Sequence, residues 1–260
     1  MRWLAMFLML GALLIGGCSK DSSTSPSGSQ NVCLWIAADK DTYVWLEYPE
    51  SHWGQDGYLR VAYLGDHKRC FVHYHLPILP AGSEILSAHM ELYHGGTHED
   101  GYSDELDILV QRATGAWSPE TLSWGNQPTF SRATEFLIHL RSAAWSASED
   151  LTLIAEEMFA DPDAYYGFIV DYFSTSMTHT VEKGFDSNNY DRTAQDMKHA
   201  PRLLVQVKLP KGKTVSDITL PDLPADHDLD FAPGTSILML RYATASSWPS
   251  SWDVAPVYEP

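Results

Sequence analysis

Cys70-Phe71-Val72-His73-Tyr74-His75-Leu76 alternates: Cys70, Val72, Tyr74 and Leu76 fall on one face, Phe71, His73 and His75 on the other, and Pro77 and Pro80 end the run. A period of two is that of a strand whose side chains alternate across a sheet, and one apolar face predicts a half-buried strand. The pattern recurs outward along the chain. Ala88, Met90 and Leu92 alternate with His89, Glu91 and Tyr93 before Gly95-Gly96, and Leu106, Ile108 and Val110 alternate with Asp107, Leu109 and Gln111. Further strands are predicted over residues 42–46, 58–64, 136–140, 167–173 and 202–207. About eight short strands at this spacing predict an all-β fold, an antiparallel β-sandwich of jelly-roll-like form. One short helix is expected over residues 153–160, with Thr152 as its cap and Pro162 beyond its end.

The N-terminus carries an address. Arg2 precedes an apolar stretch from Leu4 to Ile15 that is too short to span a bilayer, and Leu14-Ile15-Gly16-Gly17-Cys18 then resembles a bacterial lipobox. That resemblance implies a lipoprotein signal peptide over residues 1–17, with Cys18 acylated as the first mature residue. Ser19 in place of Asp favours the outer membrane. Residues 18–33 are then the lipidated Cys and a Ser-rich linker without apolar period, spanning ~20 Å. The sandwich is expected over 34–207. Residues 208–260, rich in Pro, read as an extension lying on it rather than a second domain.

The formal net charge is −17, and loss of Arg2 with the leader makes it −18. With 34 carboxylates against 17 Lys plus Arg, the chain lacks the basic footprint that a phosphate backbone requires, so nucleic acid is not an expected partner. Anionic headgroups would repel it as well, so the membrane is contacted through the lipid anchor alone. With Cys18 acylated, Cys33 and Cys70 form an even pair in an oxidising compartment. A disulfide between them is expected, contributing ~3 to 4 kcal/mol by loop entropy.

The stretch 116–128, Ala-Trp-Ser-Pro-Glu-Thr-Leu-Ser-Trp-Gly-Asn-Gln-Pro, is the most specific motif of the globular part. It resembles the signature of the DNRLRE domain, also grouped as carbohydrate-binding module family 96, which follows an Arg-bearing strand end, here Val110-Gln111-Arg112. Asp41-Thr42-Tyr43-Val44 resembles that family's opening, residues 69–80 and 85–93 its next two strands, and Tyr166-Gly167-Phe168 with residues 200–207 its close. The resemblance covers about residues 38–207. It implies a β-sandwich module of secreted and surface proteins, often attached to polysaccharide-active enzymes, with alginate a ligand class and no catalysis of its own. Where the family often has Ser-x-Glu before the closing strand, this chain has Ser187-Asn188-Asn189.

Several residues are candidates for a site. Trp117 and Trp124 could stack a sugar ring, although their place in a fold signature favours packing. Trp53, Tyr58 and Tyr63, with Trp45 and Tyr48 upstream, lie among Gly, Gln and Asp, where a loop could present them to a ligand, and Arg60 stands among them. His73 and His75 have the i, i+2 spacing of two zinc ligands on a strand, with a polar face as the favoured alternative. His94, His98, Glu99 and Asp100 form a looser cluster. Asp39 and Asp41, and separately Asp226, Asp228 and Asp230, offer oxygen ligands at alternate positions, so a structural calcium ion is a possible cofactor. Phe231 and Ile237 exclude an EF-hand in the second run.

No Gly-x-Ser-x-Gly elbow, His-Glu-x-x-His or Gly-rich phosphate loop is present. The expected function is a noncatalytic, lipid-anchored envelope module that binds polysaccharide or glycan. A protein-interaction or scaffold lipoprotein and a jelly-roll lyase or hydrolase are the alternatives. The net charge disfavours polyuronates unless calcium or a basic groove intervenes, for which Arg60, Lys68 and Arg69 are the obvious cluster.

Overall fold

The computed structural model describes residues 28–63, 66–94, 106–140, 145–173, 181–187, 199–219 and 240–243. The lipobox with Cys18, the cluster His98, Glu99 and Asp100, and the run Asp226, Asp228 and Asp230 lie outside the described residues.

The strands, all paired antiparallel, are β1 (Gln30–Trp45), β2 (Tyr58–Tyr63), β3 (Lys68–Tyr74), β4 (Glu84–Tyr93), β5 (Leu106–Ala113) and β6 (Phe130–Leu140). After these come β7 (Trp145–Ala147), the helix α1 (Thr152–Ala160), β8 (Phe168–Tyr172), β9 (Val181–Asp186), β10 (Arg202–Leu209) and β11 (Leu240–Ala243). The hydrogen-bonded order is β6-β5-β8-β3-β1-β10-β4-β7, with β11 also on β1, and β2 bridging β3 to β9. This is an all-β, sandwich-like architecture with one α-helix among the described residues.

Long β1 makes both sheets. Its residues Gln30 to Ala37 pair with β10, and Cys33 to Ile36 also with β11, whereas Ala38 to Trp45 pair with β3. The register shifts between Ala38 and Lys40. One extra residue in a strand exchanges its two faces. Accordingly Val32, Leu34, Ile36 and Ala38 face the core before the bulge, and Tyr43 faces it afterwards. Residues 30–33, expected in the linker, are already strand, and Val32 and Cys33 are buried.

The core lies between the two sheets. Met90, Leu92, Leu203, Val205 and Val207 from one meet Val72, Tyr74, Ile108, Val110, Phe168 and Val170 from the other. Helix α1 buries Ala155 and Met158 against the same core. Thr152 is its first residue rather than its cap, and no side chain caps the preceding Leu151. Asp150 instead accepts from the Thr152 backbone N–H at 3.0 Å and from its hydroxyl at 2.5 Å.

The expectation that β3 is half-buried needs correction. Phe71 is buried on the face opposite Cys70, because the segment 116–128 folds back over it. Val44, Phe71, Ala113, Trp117, Leu122 and Ile169 form a second apolar cluster there. Trp117 meets Phe71 edge to face at 5.6 Å and donates its indole N–H to the Tyr166 carbonyl at 2.7 Å. The signature tryptophan is thus a packing residue.

The expected disulfide is absent: Cys33 and Cys70 are separate buried thiols. Cys33 lies opposite Gln206 in the first sheet, and Cys70 lies opposite Tyr43 in the second. Cys33 and Tyr43 are ten residues apart along β1, roughly 30 Å of strand, whereas a disulfide needs Cα atoms within about 7 Å. Cys70 donates instead to the Arg60 carbonyl at 3.1 Å. Burial, then the Asp41 and Asp171 carboxylates, push its thiol well above the ordinary range, so it resists ionisation.

Candidate functional site

The far end of β1 runs into a loop that gathers aromatic rings. Trp53 stacks on Tyr43 at 5.2 Å, Trp45 meets Tyr48 edge-on at 4.5 Å, and Trp45 and Trp53 lie 5.7 Å apart. Tyr43 is buried beneath them, Trp45 and Trp53 are half-buried, and Tyr48 is 50% exposed beside exposed Leu46. The grading from buried to exposed gives the cluster a rigid floor and an accessible rim. Tyr43 also donates its hydroxyl to Asp56 at 3.1 Å. Burial and the Asp56 carboxylate hold its phenol well above the usual tyrosine range, so it stays a neutral donor.

The signature segment braces this loop. Gly125 N–H donates to the Pro49 carbonyl at 3.1 Å, and His52 Nδ1 lies 3.1 Å from the Leu122 carbonyl. Gly54 packs so closely on Pro119 that a Cβ there would stand 2.5 Å from the Pro119 carbonyl oxygen. The Trp117 motif therefore supports the aromatic loop from behind.

Charged groups border the rings in a register row. Glu182 of β9 lies opposite Ala62 of β2, Ala62 opposite Lys68 of β3, and Lys68 opposite Trp45 of β1. Lys68 Nζ sits 4.0 Å above the Trp45 ring and bonds Glu182 at 2.7 Å and Asp66 at 2.8 Å. Arg60 lies over Tyr43 at 5.9 Å, with Glu182 at 3.1 Å and Asp56 at 4.0 Å.

The anticipated basic cluster of Arg60, Lys68 and Arg69 does not form. Lys68 and Arg69 are neighbours on a strand and point to opposite faces. Arg69 joins the outer face, 4.9 Å over half-buried Trp124 and 2.9 Å from Asp171. His67 shares Asp171 at 2.9 Å and lies 5.0 Å from Trp124. The three aromatic candidates are spread over the loop and the two ends of β2. Trp53 belongs with Trp45 and Tyr48. Tyr63, at the opposite end of β2 from Tyr58, stacks on Tyr172 at 5.3 Å and meets His67 edge-on. Tyr58 stands opposite Asp186 at the start of the strand.

Asp39 and Asp41 have different neighbours. The β1 bulge parts Asp39 from Asp41. Asp39, fully buried, lies 2.6 Å from His73 Nδ1, while Asp41 accepts from the Ser187 hydroxyl at 2.6 Å and stands near Cys70 and Tyr74. His73 in turn stacks on Tyr165 at 5.1 Å. His94 is buried, 6.1 Å from Phe185. Among the described residues no three His, Cys, Asp or Glu side chains converge.

Asp56, Asp66 and above all Glu182 were missed in the sequence. Glu182 lies in Val-Glu-Lys-Gly-Phe-Asp, which has little of a strand's composition and becomes one by pairing with β2. Comparison with curated proteins returns no match. The family model described as carbohydrate-binding module family 96 matches residues 34–190.

Proposed function

This chain belongs to carbohydrate-binding module family 96, and from that membership we propose that it binds a polysaccharide or glycan, without catalysis, at the aromatic end of β1. The observation that carries the reading is the graded cluster of Tyr43, Trp53, Trp45 and Tyr48: an indole stacked on a buried tyrosine, a second indole tilted beside it, and a half-exposed tyrosine at the rim. A pyranose ring presents axial C–H bonds to an aromatic face, and a floor already fixed by packing spares the ligand the cost of ordering it. The rings are bordered by Arg60, Asp56 and Glu182, which can bond hydroxyls at the edge of a sugar so stacked.

The module is carried, in this proposal, by lipid on Cys18 at the outer membrane. Leu14-Ile15-Gly16-Gly17-Cys18 and the Ser-rich residues behind it support that part.

The test is affinity electrophoresis of the full-length protein against a panel of polysaccharides. Retardation by at least one polymer is expected. Tyr48→Ala is expected to weaken it ~5- to 10-fold with an unchanged melting temperature, because Tyr48 is half-exposed. Absence of binding to every polymer, or full binding by Tyr48→Ala, would sink the reading.

A further inference from the structure

We infer that this site selects uncharged pyranose polymers over polyuronates, and that Glu182 is the residue that sets the choice; the inference rests on the glycan reading above. Among the described residues, the three cations the sequence offered to a uronate, Arg60, Lys68 and Arg69, each already hold a carboxylate. Lys68, its side chain only 3% exposed, is bonded by both Glu182 and Asp66. Arg60 is held by Glu182 with Asp56 beyond, and Arg69, on the other face, is held by Asp171. In the row beside the rings, three carboxylates (Glu182, Asp66 and Asp56) thus face two cations (Lys68 and Arg60).

Glu182 has the central place, because its two oxygens divide between Arg60 at 3.1 Å and Lys68 at 2.7 Å. A uronate approaching Arg60 would meet a guanidinium whose charge Glu182 and Asp56 already offset, which leaves little electrostatic gain. It would also meet the uncompensated acid of the row, within a chain of net charge −17. Like charges set side by side discriminate strongly between partners, which is how a binding site rejects what it cannot attract. An uncharged pyranose meets none of this. It needs only the ring faces and edge donors already in place, with the Lys68 stem and its carboxylates serving as a neutralised wall.

The experiment compares binding of the full-length protein to neutral glucans, xylans and mannans with binding to alginate and polygalacturonate, at low and at physiological salt. The wild-type protein is expected to bind at least one neutral polymer ~10-fold or more tightly than either polyuronate. Glu182→Gln is expected to move that ratio several-fold towards polyuronate, by an amount that shrinks as salt screens it. Asp56→Asn relieves the same guanidinium from its other side and tests the idea should Glu182→Gln fold poorly; a similar shift is expected. A wild-type preference for polyuronate, or charge-neutral variants with an unchanged ratio, would overturn the inference while leaving the glycan reading intact. Failure to bind any polymer overturns both.

Discussion

At the scale of single residues, position in the sheet decides what a side chain can do. Lys68 and Arg69 read together as a basic pair, yet strand alternation sends one to the Trp45 row and the other to Trp124. Asp39 and Asp41 read as alternate ligands of one ion, yet the bulge between Ala38 and Lys40 gives each a different neighbour. Gly167 is the residue most narrowly constrained. Its φ of +92° is open to glycine, and a Cβ there would stand 2.5 Å from the Val72 carbonyl oxygen. Its carbonyl also accepts from Ala113 N–H at 2.9 Å, fixing the turn that leads into β8 against the end of β5. Gly167→Ala should therefore cost about 2 kcal/mol or more, read as a lower urea midpoint; an unchanged midpoint would mean that the turn relaxes freely.

At the scale of elements, the segment 116–128 is best understood as a lid on the outside of the second sheet. It turns Phe71 and Ile169 into buried residues and holds the loop that carries Tyr48 and Trp53. Trp117→Ala should cost about 3–5 kcal/mol of stability by cavity formation. It should also weaken glycan binding without touching the ligand, since Gly54 rests on the same segment through Pro119. Calorimetry beside a binding measurement checks both, and loss of binding at full stability would contradict this role.

Strands with clean alternation, such as those through Cys70 to Tyr74 and Ala88 to Tyr93, were legible in the sequence because burial on one face leaves a period of two. β9 was not, since Glu182, Lys183 and Gly184 break the pattern and the strand owes its existence to pairing with β2. The first half of β1 was hidden for another reason. Its run Cys33 to Ala38 is apolar on both faces and stands close behind a Ser-rich stretch, so no period marked where strand began. Of the site, Trp53 and Arg60 were visible by residue type. So were Trp45 and Tyr48 upstream; Asp56 and Glu182 were not, because they reach the rings only through loop packing and cross-strand register.

At the scale of the whole molecule, the aromatic end and the point where the chain enters the fold lie at opposite ends of β1. No helix among the described residues is long and apolar enough to cross a membrane. If Cys18 bears the proposed lipid, Cys18→Ala should move the protein from the membrane fraction to the soluble fraction with its melting temperature unchanged. Continued sedimentation with membranes, after a high-salt wash, would refute the anchor.

The bulged β1 also has a mechanical meaning. Any pull exerted between residue 30 and the aromatic loop would run along the length of this strand. The ladder bonds to β10, β11 and β3 lie across that direction, so they would be loaded side by side, in shear, rather than one after another as in unzipping. The strand that unites the two sheets is therefore also the line along which this fold best resists being drawn out.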